Sequence, residues 1–263
     1  MNINLENSIH LFLAHKGGVG KTTLSALLAE WMLGKGVAPV VYDADARNRD
    51  ACISQYKALN ARRLDNLLVQ REDGTEHINE AGFESLLESL MEEQGPHLVD
   101  TGANTYTNWM SYVGELSLAD ELESVGKTVF VHTIIAGGEM CEETVRGLEE
   151  IAERMPSWKI VVWVNEYKSP AKLRGGEHFL ESAPFVALSS RLQAVIRMPE
   201  VSMTTRDALD LLGPLHLLVA EVKADPTVST QKRIAYGGWA RKAFAALDAA
   251  FGDVVPASIP TPA

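Results

Sequence analysis

Ala14-His15-Lys16-Gly17-Gly18-Val19-Gly20-Lys21-Thr22-Thr23 decides the reading of this chain. An apolar run, Ile9 to Ala14, leads into it, and a helix-forming run, Leu24 to Leu33, leads out. Strand, glycine-rich turn, helix is the order in which a backbone cradles phosphate. Glycines let the chain turn tightly enough for successive N–H groups to face one concavity, and the helix adds its positive end. The spacing places Gly17, Gly18, Val19, Gly20, Lys21, Thr22 and Thr23 around the phosphates. Lys21 is expected to reach the β- and γ-phosphates, and the Thr22 hydroxyl to ligate Mg²⁺.

Working outward, Val37 to Tyr42 is mostly apolar, as a buried parallel strand requires, and ends in Asp43-Ala44-Asp45. Carboxylates at the C-terminal end of such a strand face the crevice where α/β folds bind ligands. Asp43 and Asp45 are two apart, so an extended backbone puts them on one face. His97 to Gly102 is a second short strand, ending in Asp100, Thr101 and Gly102. Lys127 to Ile135, Lys159 to Val164 and Phe185 to Leu188 read as further strands. Helices are expected over Ile78 to Glu93, Glu139 to Met155, Asp207 to Leu212 and Thr227 to Phe251, the last capped by Ser229 or Thr230. Tyr56 to Leu64 reads as a surface helix with a basic face, Arg71 to His77 as a loop, and Thr101 to Asn108 as a mobile polar segment. Alternating strands and helices predict an α/β fold: a single P-loop NTPase domain with a largely parallel twisted sheet flanked by helices on both faces. It is expected to fill residues 1–251, with a disordered Pro- and Ala-rich tail over 252–263.

Composition narrows the partners. A net charge of −11 argues against indiscriminate wrapping of DNA and against an anionic membrane. No apolar run approaches bilayer length and no signal-type segment opens the sequence, so a cytoplasmic location is expected. The two cysteines, Cys52 and Cys141, form no C-x-x-C pair and read as buried free thiols. His132, inside a strand with no second histidine at metal spacing, reads as a packed core residue.

The strict pattern G-x-x-x-x-G-K-[ST] is not met, because its first glycine falls at His15 and a second lysine, Lys16, precedes Gly17. This resembles the deviant Walker A loop of the ParA/MinD family of ATPases. The resemblance implies that Lys16 crosses a dimer interface to the partner's phosphates. It makes Lys16, Lys21 and Asp45 the catalytic residues, Asp45 orienting the attacking water. It places Asp43 near Mg²⁺, makes Asp100 a Walker B carboxylate holding Mg²⁺ through a water, and lets the Gly102 N–H approach the γ-phosphate. It assigns Asn165 to the adenine edge and Met198, Pro199 and Glu200 to the segment closing over the base. Three blocks, Tyr56 to Leu64, Val131 to Gly138 and Val162 to Asn165, resemble the TraL-type conjugal transfer proteins of broad-host-range plasmids. The implied function is a slow, Mg²⁺-dependent ATPase switch that dimerises with itself on ATP and serves conjugative transfer with an unidentified activating or cargo protein. Two alternatives remain open. One is a partitioning ATPase whose dimer binds DNA through Lys223, Lys232, Arg233, Arg241 and Lys242; the other is a nucleotide-gated scaffold without significant hydrolysis. No membrane partner is implied, because the tail lacks the basic amphipathic helix that MinD uses.

Overall fold

The computed structural model describes residues 5–45, 50–65, 67–70, 76–115, 118–198 and 201–252. Its strands are β1 Ser8–Phe12, β2 Val40–Ala44, β3 Arg62–Arg63, β4 Leu68–Gln70, β5 Glu76–Ile78, β6 His97–Thr101, β7 Thr128–Ala136, β8 Lys159–Asn165 and β9 Leu192–Met198. Its helices are α1 Lys21–Gly34, α2 Glu80–Glu92, α3 Tyr106–Glu115, α4 Leu118–Ser124, α5 Cys141–Arg154, α6 Ala183–Leu188, α7 Met203–Leu212, α8 Val219–Ala224 and α9 Thr230–Phe251. Seven strands form one sheet in the order β3-β2-β6-β1-β7-β8-β9, and every neighbouring pair is parallel. The short β4–β5 pair is antiparallel and separate.

Parallel strands covered on both faces read as continuous apolar runs, and their side chains alternate between two cores. Phe130 and Ile134 of β7 join Leu28, Met32, Trp163, Leu247 and Phe251 in the core under α1 and α9. Val131 and Ile135 join Leu11, Val99, Phe83, Trp109 and Leu148 in the core under α2, α3 and α5. Ser229 caps α9 by accepting from the Lys232 N–H. Cys52 and Cys141 are buried thiols. Among the described residues no helix is long and apolar enough to cross a membrane.

A polar chain crosses the first core. Trp163 Nε1 donates to His132 Nδ1 at 2.9 Å, which leaves the His132 proton on Nε2 facing His10 Nδ1 at 2.8 Å. His10 Nε2 in turn faces Ser8 Oγ at 2.9 Å, and that hydroxyl donates to the Leu5 carbonyl at 2.7 Å. Both rings are thus neutral, in keeping with burial, which pushes His10 down to about 3 and His132 well below its ordinary value. His132 is a hydrogen-bonded core residue, as its setting in a strand predicts.

Four expectations need correction. Phe185 to Leu188 is not a strand but the end of α6: Ser182 accepts from the Phe185 N–H and a proline occupies the first turn, a helix start that overrides a short apolar run. The strand lies further on, at β9. Tyr56 to Leu64 is not a helix. A 3₁₀ turn, Lys57–Leu59, ends where Asn60 adopts φ 47°, and the chain then enters β3. Tyr56 and Leu59 are buried, so tertiary packing sets this segment. Within Arg71 to His77, the last two residues belong to β5; residues 71–75 lie outside the described set. Thr101 to Asn108 is a 3₁₀ turn, Ala103–Thr105, running directly into α3, whose Tyr106, Trp109 and Met110 are buried. Met198 ends β9 in the core, while Pro199, Glu200 and residues 253–263 lie outside the described set.

Candidate nucleotide site

The phosphate loop joins β1 to α1 where β6 and β7 flank β1 on either side, so the C-terminal ends of the central strands surround it. Gly18 (φ 74°) and Gly20 (φ 95°) take left-handed conformations that side chains avoid, which winds the loop before α1 begins at Lys21. No acidic residue occupies the first turn of α1, so its positive end is not offset there. Lys21 is buried at that end.

The fold brings Thr22 and Asp100 together: Thr22 Oγ1 donates to Asp100 Oδ2 at 2.8 Å. Ser25, one turn further along α1, donates to Asp100 Oδ1 at 2.9 Å. Burial raises Asp100 to about 6, while Lys21 and the two hydroxyls pull it back down. A buried carboxylate beside a hydroxyl, facing a phosphate loop, is an oxygen donor set that would suit Mg²⁺. Among the described residues no cluster of three or more His, Cys, Asp or Glu could hold a metal alone, which a cation carried in with phosphates does not need.

The raised Asp100 pKa has a measurable consequence. Its folded value lies above 3.8, so its contribution to stability is lost as pH rises from about 4 through about 6. At pH 8 the ionised carboxylate therefore weakens the nucleotide-free fold. Asp100→Asn is expected to raise stability at pH 8 by up to about 3 kcal/mol, the gain shrinking toward pH 4. Urea unfolding at both pH values checks this; a variant less stable than the parent at pH 8 contradicts it.

Asp43 lies opposite Asp100 in the β2–β6 register. Its carboxylate is occupied by the protein: Oδ1 accepts from the Asp45 N–H at 3.1 Å, and Oδ2 from Ser54 Oγ at 2.5 Å and Arg63 Nη1 at 3.2 Å. The Asp45 carboxylate lies against Gly102, where a Cβ would come 2.5 Å from Oδ1. A side chain at position 102 would have to displace that carboxylate. Asn165 ends β8 beside the loop; its Nδ2 donates to the Val19 carbonyl at 2.9 Å and its Oδ1 accepts from the Tyr167 N–H at 3.2 Å. An amide has two N–H bonds and two lone pairs, so one of each is left for a base edge.

Lys16 Nζ donates to Glu143 Oε1 of α5 at 2.8 Å, and that bond holds the Glu143 carboxyl below its usual range. Beside this pair a cleft of about 280 Å³ is lined by Glu139, Glu142, Glu143 and Glu150, which outnumber its two arginines, Arg146 and Arg174. Its negative charge disfavours phosphate, so the loop and not this cleft is the candidate anion site.

Ser25, Ser54, Arg63 and Glu166 belong to none of the motifs in the sequence. Glu166 follows Asn165, is buried, and accepts from His178 Nε2 at 2.8 Å, Arg197 Nε at 2.7 Å and the Ala171 N–H at 3.1 Å. Burial pushes Glu166 up, but these donors outweigh it and hold the carboxyl below its ordinary value. It anchors the loop after β8 to β9. Ser25 alone left a signal, its spacing of three from Thr22 on one helix face.

Residues 11–175 match the family described as the CobQ/CobB/MinD/ParA nucleotide binding domain. Two proteins called TraL from Escherichia coli are 33% and 31% identical to this chain over 231 residues, covering 86% of it and 92% of each relative. The MinD cell division protein of Aquifex aeolicus superposes with a TM-score of 0.50 at 16% identity, covering 87% of this chain and 94% of that one, a likeness of fold.

Proposed function

This chain belongs to the CobQ/CobB/MinD/ParA nucleotide-binding family and, within it, to the TraL proteins, and from that premise we propose that it is a Mg²⁺-dependent ATPase switch that dimerises on ATP and serves conjugative transfer. The observation that carries the proposal is Lys21 buried at the start of α1 beside the Thr22–Asp100 hydrogen bond of 2.8 Å. Lys21 and the loop N–H groups bind the β- and γ-phosphates. Thr22 and Asp100 would hold Mg²⁺, which would supply positive charge to offset that of the phosphates. Asn165 meets the adenine edge. Asp45 accepts a hydrogen bond from the attacking water and turns its lone pair toward the γ-phosphorus.

Lys16 is engaged with Glu143 of its own chain, at a partly exposed site where ion pairs are weak. A partner's triphosphate carries more charge than one carboxylate, so exchange of Lys16 from Glu143 to that phosphate couples nucleotide to dimer formation. Loss of the γ-phosphate removes the contact and releases the dimer. A homodimer and an activating or cargo protein are the proposed partners.

Single-turnover hydrolysis of Mg·ATP tests the chemistry. Asp45→Ala is expected to lower the rate at least ~10²-fold while Mg·ATP affinity stays within about threefold. A variant hydrolysing at the parent rate removes Asp45 from the mechanism.

A further inference from the structure

β3 adds two residues to the sheet edge, Arg62 and Arg63, with Arg63 opposite Asp43. The Arg63 guanidinium turns inward; its side chain is 22% exposed and the Asp43 side chain is fully buried. Nη1 donates to Asp43 Oδ2 at 3.2 Å and to Cys52 Sγ at 3.4 Å. Nη2 donates to the Asp45 carbonyl at 3.3 Å. Nε donates to Asp65 Oδ1 at 2.6 Å, which fixes the plane of the fork from outside. The Asp45 N–H is meanwhile held by Asp43 Oδ1 at 3.1 Å. Both main-chain polar groups of Asp45 are therefore tied, directly or through Asp43, to one cation on the neighbouring strand.

We propose that Arg63 is a positioning residue for ATP hydrolysis: it clamps Asp43 and the Asp45 carbonyl, and so sets where the Asp45 carboxylate stands over Gly102. The proposal rests on the reading of Asp45 as the water-orienting group. Arg63 touches neither phosphate nor water in this role. The Arg63 guanidinium serves four acceptors from one rigid fork, whereas the ammonium of a lysine keeps the charge beside Asp43 without the fork. Ser54, donating to the same Asp43 oxygen, keeps part of the clamp when Arg63 is changed. Misplacing a reacting group by about 1 Å costs roughly 10²-fold in rate.

The test is steady-state kinetics on the full chain with Mg·ATP, with binding of a non-hydrolysable ATP analogue and thermal unfolding measured in parallel. Arg63→Lys is expected to lower kcat roughly 10–100-fold while analogue affinity and Tm stay near the parent's. In an Asp45→Ala background, Arg63→Lys is expected to add nothing further. Arg63→Gln, neutral and of similar reach, gives a second reading should the lysine variant fold poorly; it too is expected to lose kcat and not affinity. Parent-like kcat in a folded Arg63→Lys chain overturns the proposal. So does an equal loss of kcat and analogue affinity, which marks a merely structural role. If Asp45→Ala hydrolyses at the parent rate, the underlying reading of Asp45 fails; if Asp45→Ala is inactive and Arg63→Lys is not impaired, only the clamp fails.

Discussion

Lys21→Ala is expected to lose at least ~10²–10³-fold in kcat/KM for Mg·ATP, with most of the loss in binding. Lys21 is 8% exposed at the positive end of α1, so its charge acts where water cannot screen it. It also opposes the burial that raises Asp100. Without it Asp100 moves further up, takes a proton near neutral pH, and stops attracting Mg²⁺. The helix itself keeps its start, because the left-handed Gly20 and the Leu24 N–H bond to the Gly20 carbonyl at 2.9 Å do not involve the lysine side chain. A fluorescent-nucleotide titration with circular dichroism as a folding control reads both effects. Affinity within threefold of the parent in a folded variant contradicts this role.

Gly137→Ala is expected to cost roughly 3–4 kcal/mol of stability. A Cβ there would sit 1.6 Å from the Ser169 carbonyl oxygen and 2.6 Å from its carbon, so the obstacle is main chain, not a movable side chain. The loop carrying Ser169 cannot yield cheaply. Gly137 N–H donates to the Asn165 carbonyl at 3.0 Å, Gly138 N–H to the Pro170 carbonyl at 3.2 Å, and Glu166 holds Ala171. Ala171 and Phe179 are buried on the far side. Moving this loop also disturbs Asn165, so affinity for the adenine nucleotide should fall with stability. Urea unfolding checks the first effect; a variant within about 0.5 kcal/mol of the parent is incompatible with this close approach.

Phosphate chemistry explains why the loop, Thr22 and Asp100 were legible in the sequence. Few residue types at few spacings can hold a phosphate, and the strands around it are buried on both sides and so read as apolar runs. β9 hid because it is the edge strand: Gln193 and Arg197 lie within it and only Ile196 and Met198 are buried, so its pattern is diluted. The apolar stretch just before it, Phe185 to Leu188, therefore took its place, although Ser182 and Pro184 signal a helix start. α3 was missed for another reason. Tyr106, Trp109 and Met110 have helical spacing, but the polar segment Thr101 to Asn108 reaches into the first turn of this helix and masks its start. Arg63 and Ser54 were out of reach, because each acquires its role only when β3 and the preceding turn are laid beside Asp43.

Light scattering on the Asp45→Ala chain, with and without Mg·ATP, tests the central claim most directly. With hydrolysis expected to be slowed in this variant, ATP should carry the species from 28.7 kDa to twice that mass, and adding Lys16→Ala should return it to the monomer. A mass that ignores Mg·ATP, or a dimer that forms equally well without Lys16, contradicts the account.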